Sequence, residues 1–286
     1  MAPEDYQQLS WWKKAFAWLD RQNDRVLGYH GPPGSVSKSK EVVGELWLPA
    51  ALHAVGTKPA EKAVQYCQCQ LDIPKTGGVE CVTTSAVIVR NIVRDELAAR
   101  RGQPPAPHEK TAQAFVEQLD TARLGAWSKR MSSGVPVIGG FMHPVLQLPH
   151  ALDLLAGELK DVYGSSFNHE LTKGGNLDKL IDNLQNNRPT IIHGIWSDRR
   201  VVDPRTGAAD LNIANILGGT PHTMPLVMYS SKDEWCFYAL GWKPGRHGTG
   251  FVKMSSDELM SFWGRCYPLE SYTKRFSMTT ITIDPG

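Results

Sequence analysis

Gly77-Gly78-Val79-Glu80-Cys81-Val82-Thr83-Thr84-Ser85-Ala86 is the stretch whose conformation decides the fold. Two glycines let the backbone turn, and Cys81 then opens an apolar run over residues 82–93. Val, Thr and Ile dominate that run, so propensity alone favours a strand. Its length argues otherwise: the pattern continues through Leu97, Ala98 and Ala99 to Arg101, which is helix length. The spacing therefore predicts a helix with Cys81 at its N-terminus. Unpaired N–H groups and a partial positive charge there lower a thiol's pKa, and the thiolate is the form that attacks a carbonyl. A small apolar core residue is the competing reading of any single cysteine.

Working upstream, residues 59–80 lead into this helix through a loop with Pro74, Gly77 and Gly78. Residues 28–40, with Gly31-Pro32-Pro33-Gly34 and a Ser/Lys run, read as a linker. Helices are expected on either side of it, over residues 10–20 and 41–55. Trp11, Trp12, Trp18 and Trp47 load this portion with aromatics, suited to packing on a neighbour or to stacking on a ligand. The expected division is an aromatic-rich helical appendage and linker at 1–58 and a main domain at 59–286.

Downstream, residues 103–107 (Gln-Pro-Pro-Ala-Pro) form a break. Helices are expected over 109–127, 150–162 and 177–187, the last with Asn176 as N-cap. Short apolar or alternating runs at 190–195, 222–229, 234–242, 249–254 and 275–283 predict strands, with Ser230-Ser231-Lys232-Asp233 as a hairpin turn. A capping box at Ser255-Ser256-Asp257-Glu258 starts a late helix to Trp263. Helices first and an antiparallel sheet afterwards make the chain α+β.

The bulk composition narrows the functions. The chain has 286 residues, 41% hydrophobic and 21% charged, as in ordinary globular proteins. Its net charge of +2 is spread along the chain, which disfavours a nucleic-acid surface, since tracking phosphates takes a basic stripe. No apolar run reaches the roughly 18 residues of a membrane span. The polar, acidic start at residues 1–6 does not resemble a secretory signal, so the expected location is the cytoplasm, or outside after release by lysis. Five cysteines (Cys67, Cys69, Cys81, Cys236, Cys266) fit neither a disulfide framework nor a zinc site, and reduced thiols are expected. Neither a phosphate-binding glycine loop nor metal-ligand spacing is visible, so no cofactor is expected.

Gln70, Asp72 and, after eight intervening residues, Cys81, Thr84 and Ser85 make a pattern that resembles a known family. It is similar to the start of peptidase domains related to the double-glycine bacteriocin-processing peptidases, in the papain superfamily. Those carry a Gln-x-Asp element before a Cys-x-x-Thr-Ser helix start. Two later landmarks follow in order: Asn187-Arg188-Pro189-Thr190-Ile191-Ile192 at the entry to a central strand, and Gly218-Gly219-Thr220-Pro221-His222 before another. The resemblance covers residues 59–286. It implies a papain-like fold, an N-terminal helical half with the nucleophile helix packed against a C-terminal antiparallel sheet. It further implies Cys81 as nucleophile, His222 as base and Gln70 as oxyanion donor beside the Cys81 N–H. His193, inside an apolar strand, is the next candidate for the base.

One position departs from the family. Lys243 stands where members carry the Asp or Asn that orients the imidazole. Three outcomes remain open: a Cys–His dyad, a substitute such as Asp203 or Asp210, or loss of catalysis. The expected function is thus a cysteine peptidase or amidase acting on cell-wall (peptidoglycan) peptides, tail-associated on a virion or released on lysis. Two rivals fit the same residues: a catalytically decayed module binding within a larger assembly through residues 1–58, and an intracellular processing peptidase or transglutaminase-like acyl transferase.

Overall fold

A computed structural model describes residues 35–48, 58–73, 81–103, 111–121, 136–196, 220–240, 250–264 and 276–284. In chain order the strands are β1 (Glu45–Trp47), β2 (Phe167–Thr172), β3 (Thr190–Trp196), β4 (Thr220–Ser230), β5 (Glu234–Tyr238), β6 (Phe251–Met254) and β7 (Ser277–Ile283). The α-helices are α1 (Pro59–Val64), α2 (Cys81–Arg100), α3 (Ala112–Thr121), α4 (Pro136–Tyr163), α5 (Leu177–Gln185) and α6 (Ser256–Trp263). A 3-10 turn at Lys38–Lys40 precedes β1 and another, Gln70–Asp72, follows α1. The chain is α+β, and the strands form one antiparallel sheet in the order β2-β7-β3-β4-β5-β6, with β1 added on β4.

The helix that opens at Cys81 forms despite its β-branched residues. Every residue from Cys81 to Val89 is buried, so packing on both flanks outweighs the weak preference of Val, Thr and Ile for strands. Local signals fix other boundaries. The Asn176 side chain accepts from the Lys179 N–H at 2.8 Å to start α5, and Asn187 leaves that helix at φ 53° ahead of Pro189. Ser255 and Glu258 complete a reciprocal capping box on α6. In the turn between β4 and β5, Asp233 sits at φ 58° and its carboxylate accepts from the Ser256 N–H at 3.1 Å, locking the hairpin to α6.

Strand alternation divides the interior in two. Ile191, Val227, Cys236, Tyr238 and Ile281 point to one face of the sheet and pack under α2 and α4. Ile192, Met224, Leu226, Phe237 and Met278 point to the other, under α5 and α6. A register shift between Leu226 and Met228 interrupts the β4–β5 pairing where the other side of β4 passes from β3 to β1.

Several expectations are corrected. Residues 45–47 are strand β1 rather than part of a helix over 41–55, because their backbone pairs with β4 at residues 228–230. The boundary at residue 58 does not hold for residues 35–48: Val36, Val42, Leu46 and Leu48 pack into the α5/α6 core, and the Ser37 N–H donates to Asp178 at 2.8 Å. Strand β2 is an addition, and α4 starts earlier than expected, at Pro136. Trp47 is buried in the core, so its role is packing. Trp11, Trp12, Trp18 and the 10–20 helix lie outside the described residues. Among the described residues no helix is long and apolar enough to cross a membrane.

Candidate functional site

Cys81 is the first residue of α2 and is 7% exposed. One turn further on, on the same helix face, Ser85 donates its hydroxyl to the Thr223 carbonyl at 3.3 Å. This bond draws the start of α2 onto β4 next to His222. The glycines Gly77 and Gly78 that were expected to aim the helix lie outside the described residues.

The two candidate histidines face different ways. His193 pairs with Thr223 across β3 and β4, on the α2 face. Its Nδ1 lies 3.1 Å from Thr223 Oγ1 and its Nε2 3.1 Å from Thr279 Oγ1, in a site only 2% exposed. His222 pairs with Gly194, and a Cβ on Gly194 would lie 2.5 Å from the Phe262 carbonyl oxygen of α6. Alternation therefore directs His222 toward the α6 face, while Cys81 belongs to the core on the other side. The expected side-by-side placement of Cys81 and His222 is not what this register produces; their helix and strand meet through Ser85 and Thr223 instead.

Both imidazoles are held neutral, each lowered from its ordinary 6.5 to about 4 by burial. They differ in restraint. His193 is engaged at both ring nitrogens, whereas His222 keeps partial exposure and makes no hydrogen bond among the described residues.

Gln70 opens the 3-10 turn after α1, and its N–H donates to the Leu240 carbonyl at 2.7 Å. Its side chain is 7% exposed, and Oε1 has no partner among the described residues. Beside it lies a cavity of about 430 Å³, walled by the residues around Gln70 and by the start of α3. No signal in the sequence announced this cavity.

Two of the other thiols, Cys67 and Cys236, are poor nucleophiles. Burial pushes Cys67 and Cys236 up to about 12, and Cys67 Sγ lies 3.6 Å from the Gly250 carbonyl oxygen. Cys266, Lys243, Asp203 and Asp210 lie outside the described residues, as does any third group they would supply. No group of three or more His, Cys, Asp or Glu side chains able to hold a metal ion occurs among the described residues. No protein-family model, curated protein or solved structure matches this chain.

Proposed function

We propose that the chain is a papain-like cysteine peptidase or amidase, with Cys81 as nucleophile, His222 as base and Gln70 as oxyanion donor. The observation that supports this reading is the first turn of α2: a helix that begins at a cysteine and is bonded through Ser85 to the carbonyl beside His222. In the reaction His222 takes the Cys81 proton and the thiolate adds to an amide carbonyl. The oxyanion accepts hydrogen bonds from the Gln70 amide and the Cys81 N–H. Imidazolium then returns the proton to the departing amine, leaving a thioester, which water hydrolyses to a carboxylate and the free thiol. His222 is favoured over His193 because no hydrogen bond among the described residues restrains its ring, and it reaches Cys81 when the first residues of β4 rotate from the α6 face. The proposed substrates are cell-wall peptides, met by a virion-associated or lysis-released protein.

A second reading is favoured by the strand register itself. With His222 on the α6 face and His193 fixed between two threonines, the same scaffold serves as a binding module without catalysis. Purified peptidoglycan incubated with the wild type, Cys81→Ala, His222→Ala and His193→Ala separates the two. Muropeptides released by the wild type and the His193 variant, and by neither of the others, establish the enzyme. Equal, background release by all four, with Cys81 no faster than the other thiols toward iodoacetamide at pH 6.5, leaves the binding module.

A further inference from the structure

Two prolines open a gap in the sheet beside the first turns of α2. Strand β4 pairs with β3 from Thr220 to Pro225, and with β5 from Leu226 onward. Within an antiparallel strand, alternate residues turn their N–H and C=O groups to the same side. Pro221, Thr223 and Pro225 therefore share a side, and the two prolines have no N–H to give a ladder. The pairing with β3 falls to His222 and Met224, which leaves Thr223 facing outward at a level that β5 does not reach. Thr223 is buried there all the same, and a buried carbonyl without a donor is costly. Ser85 supplies the donor at 3.3 Å, from the helix rather than from a strand. The Thr223 side chain is fixed as well: its Oγ1 lies 3.1 Å from His193 Nδ1, and the far ring nitrogen lies 3.1 Å from Thr279 Oγ1. All four residues are buried, so they make a polar chain from α2 through β4 and β3 to β7.

We propose that Ser85 is a positioning residue for Cys81: by seating α2 on the Thr223 carbonyl, it fixes where the helix begins and so what surrounds the thiol. Apolar burial holds the body of α2, but it is non-directional and tolerates small slides and rotations. A hydrogen bond weakens steeply once its angle opens, so it supplies the direction that apolar contact lacks. Cys81 and Ser85 lie one turn apart on one helix face, which puts this anchor close to the start of the helix. The inference rests on Cys81 being the nucleophile, as proposed above, and adds the residue that holds it in place.

The test uses the full chain without substrate and follows the alkylation of Cys81 by iodoacetamide as a function of pH, read by mass spectrometry of the peptide that carries it. The wild-type profile should have its midpoint below the roughly 8.5 of a free thiol. Ser85→Ala should move the midpoint toward that value, so that the rate at pH 6.5 falls about twofold to fivefold, the size of a helix-terminus effect. Alanine is smaller than serine and a better helix former, so this variant should fold, and a circular dichroism melt checks it. Thr84→Val is the control. The Thr84 hydroxyl is equally buried but bonds nothing among the described residues, so its loss should leave the profile as in the wild type. A Ser85→Ala profile that coincides with the wild type, or an equal shift in Thr84→Val, overturns the positioning role. The two readings fail separately. A low wild-type midpoint that Ser85→Ala does not move removes the anchor and keeps the nucleophile. A wild-type midpoint at or above about 8.5 that Ser85→Ala still moves removes the nucleophile and keeps the anchor.

Discussion

At the scale of single residues, His193 couples the fold to pH. Its ring is buried between two threonine hydroxyls, which can bond a neutral imidazole at both nitrogens. Burial disfavours a proton added there and lowers the folded pKa to about 4, against 6.5 for the free side chain. Between those two values the unfolded chain binds a proton that the folded chain does not. Stability from this group is therefore complete above about pH 6.5, declines as pH falls toward 4, and changes no further below that. The loss across the window is on the order of 3 kcal/mol. Urea unfolding at pH 7, 5.5 and 4.5 should show it, and His193→Gln, although less stable at pH 7, should show a shallower decline. Parallel declines for the two proteins would mean that other groups set the acid response. His222 titrates in the same direction, but its partial exposure to water lets part of its charge be solvated, so its share is smaller.

At the scale of elements, the packing of β3 against α6 depends on one missing side chain. Any Cβ at Gly194 would approach the Phe262 carbonyl oxygen to 2.5 Å and its ring to 2.6 Å. Backbone cannot yield there as a flexible side chain would, so Gly194→Ala should cost about 1–3 kcal/mol, read as a lower urea midpoint. An unchanged midpoint would show that α6 shifts freely on the sheet. That close approach was not read from the sequence, whereas β3, β4, α5 and α6 were legible from caps, turn residues and apolar spacing. The helix opening at Cys81 was legible by length even though its residues prefer strands. Strand β2 was not, because Phe167–Thr172 is a mostly half-exposed strand at the sheet edge with little apolar contrast. The face taken by each histidine was equally hidden. A strand has a period of two, so a shift of one residue exchanges His222 for its neighbours, and nothing local to Gly218–His222 fixes that choice.

At the scale of the whole molecule, the N-terminal boundary carries the remaining consequence. Strand β3 pairs with β4 only as far as Pro225, and β1 takes up the same side of β4 over residues 228–230. Without β1, those residues would present an unpaired edge to water. Leu48 follows directly: its N–H donates to the Val227 carbonyl at 2.9 Å, and its side chain is buried in the α5/α6 core. Lys40 pairs with Asp182 on α5, so the segment is fastened to both the sheet and a helix. Being part exposed, that ion pair adds little, and the burial of Leu48 outweighs it. Leu48→Ala should therefore lower stability by about 2–5 kcal/mol, whereas Lys40→Ala should lower it by less than about 1 kcal/mol. A chain starting at residue 59 should unfold at lower urea than one starting at residue 35, and it should expose the β4 edge to hydrogen exchange at residues 228–230. Equal urea midpoints and equal protection in the two chains would return residues 35–48 to the role of a separable arm.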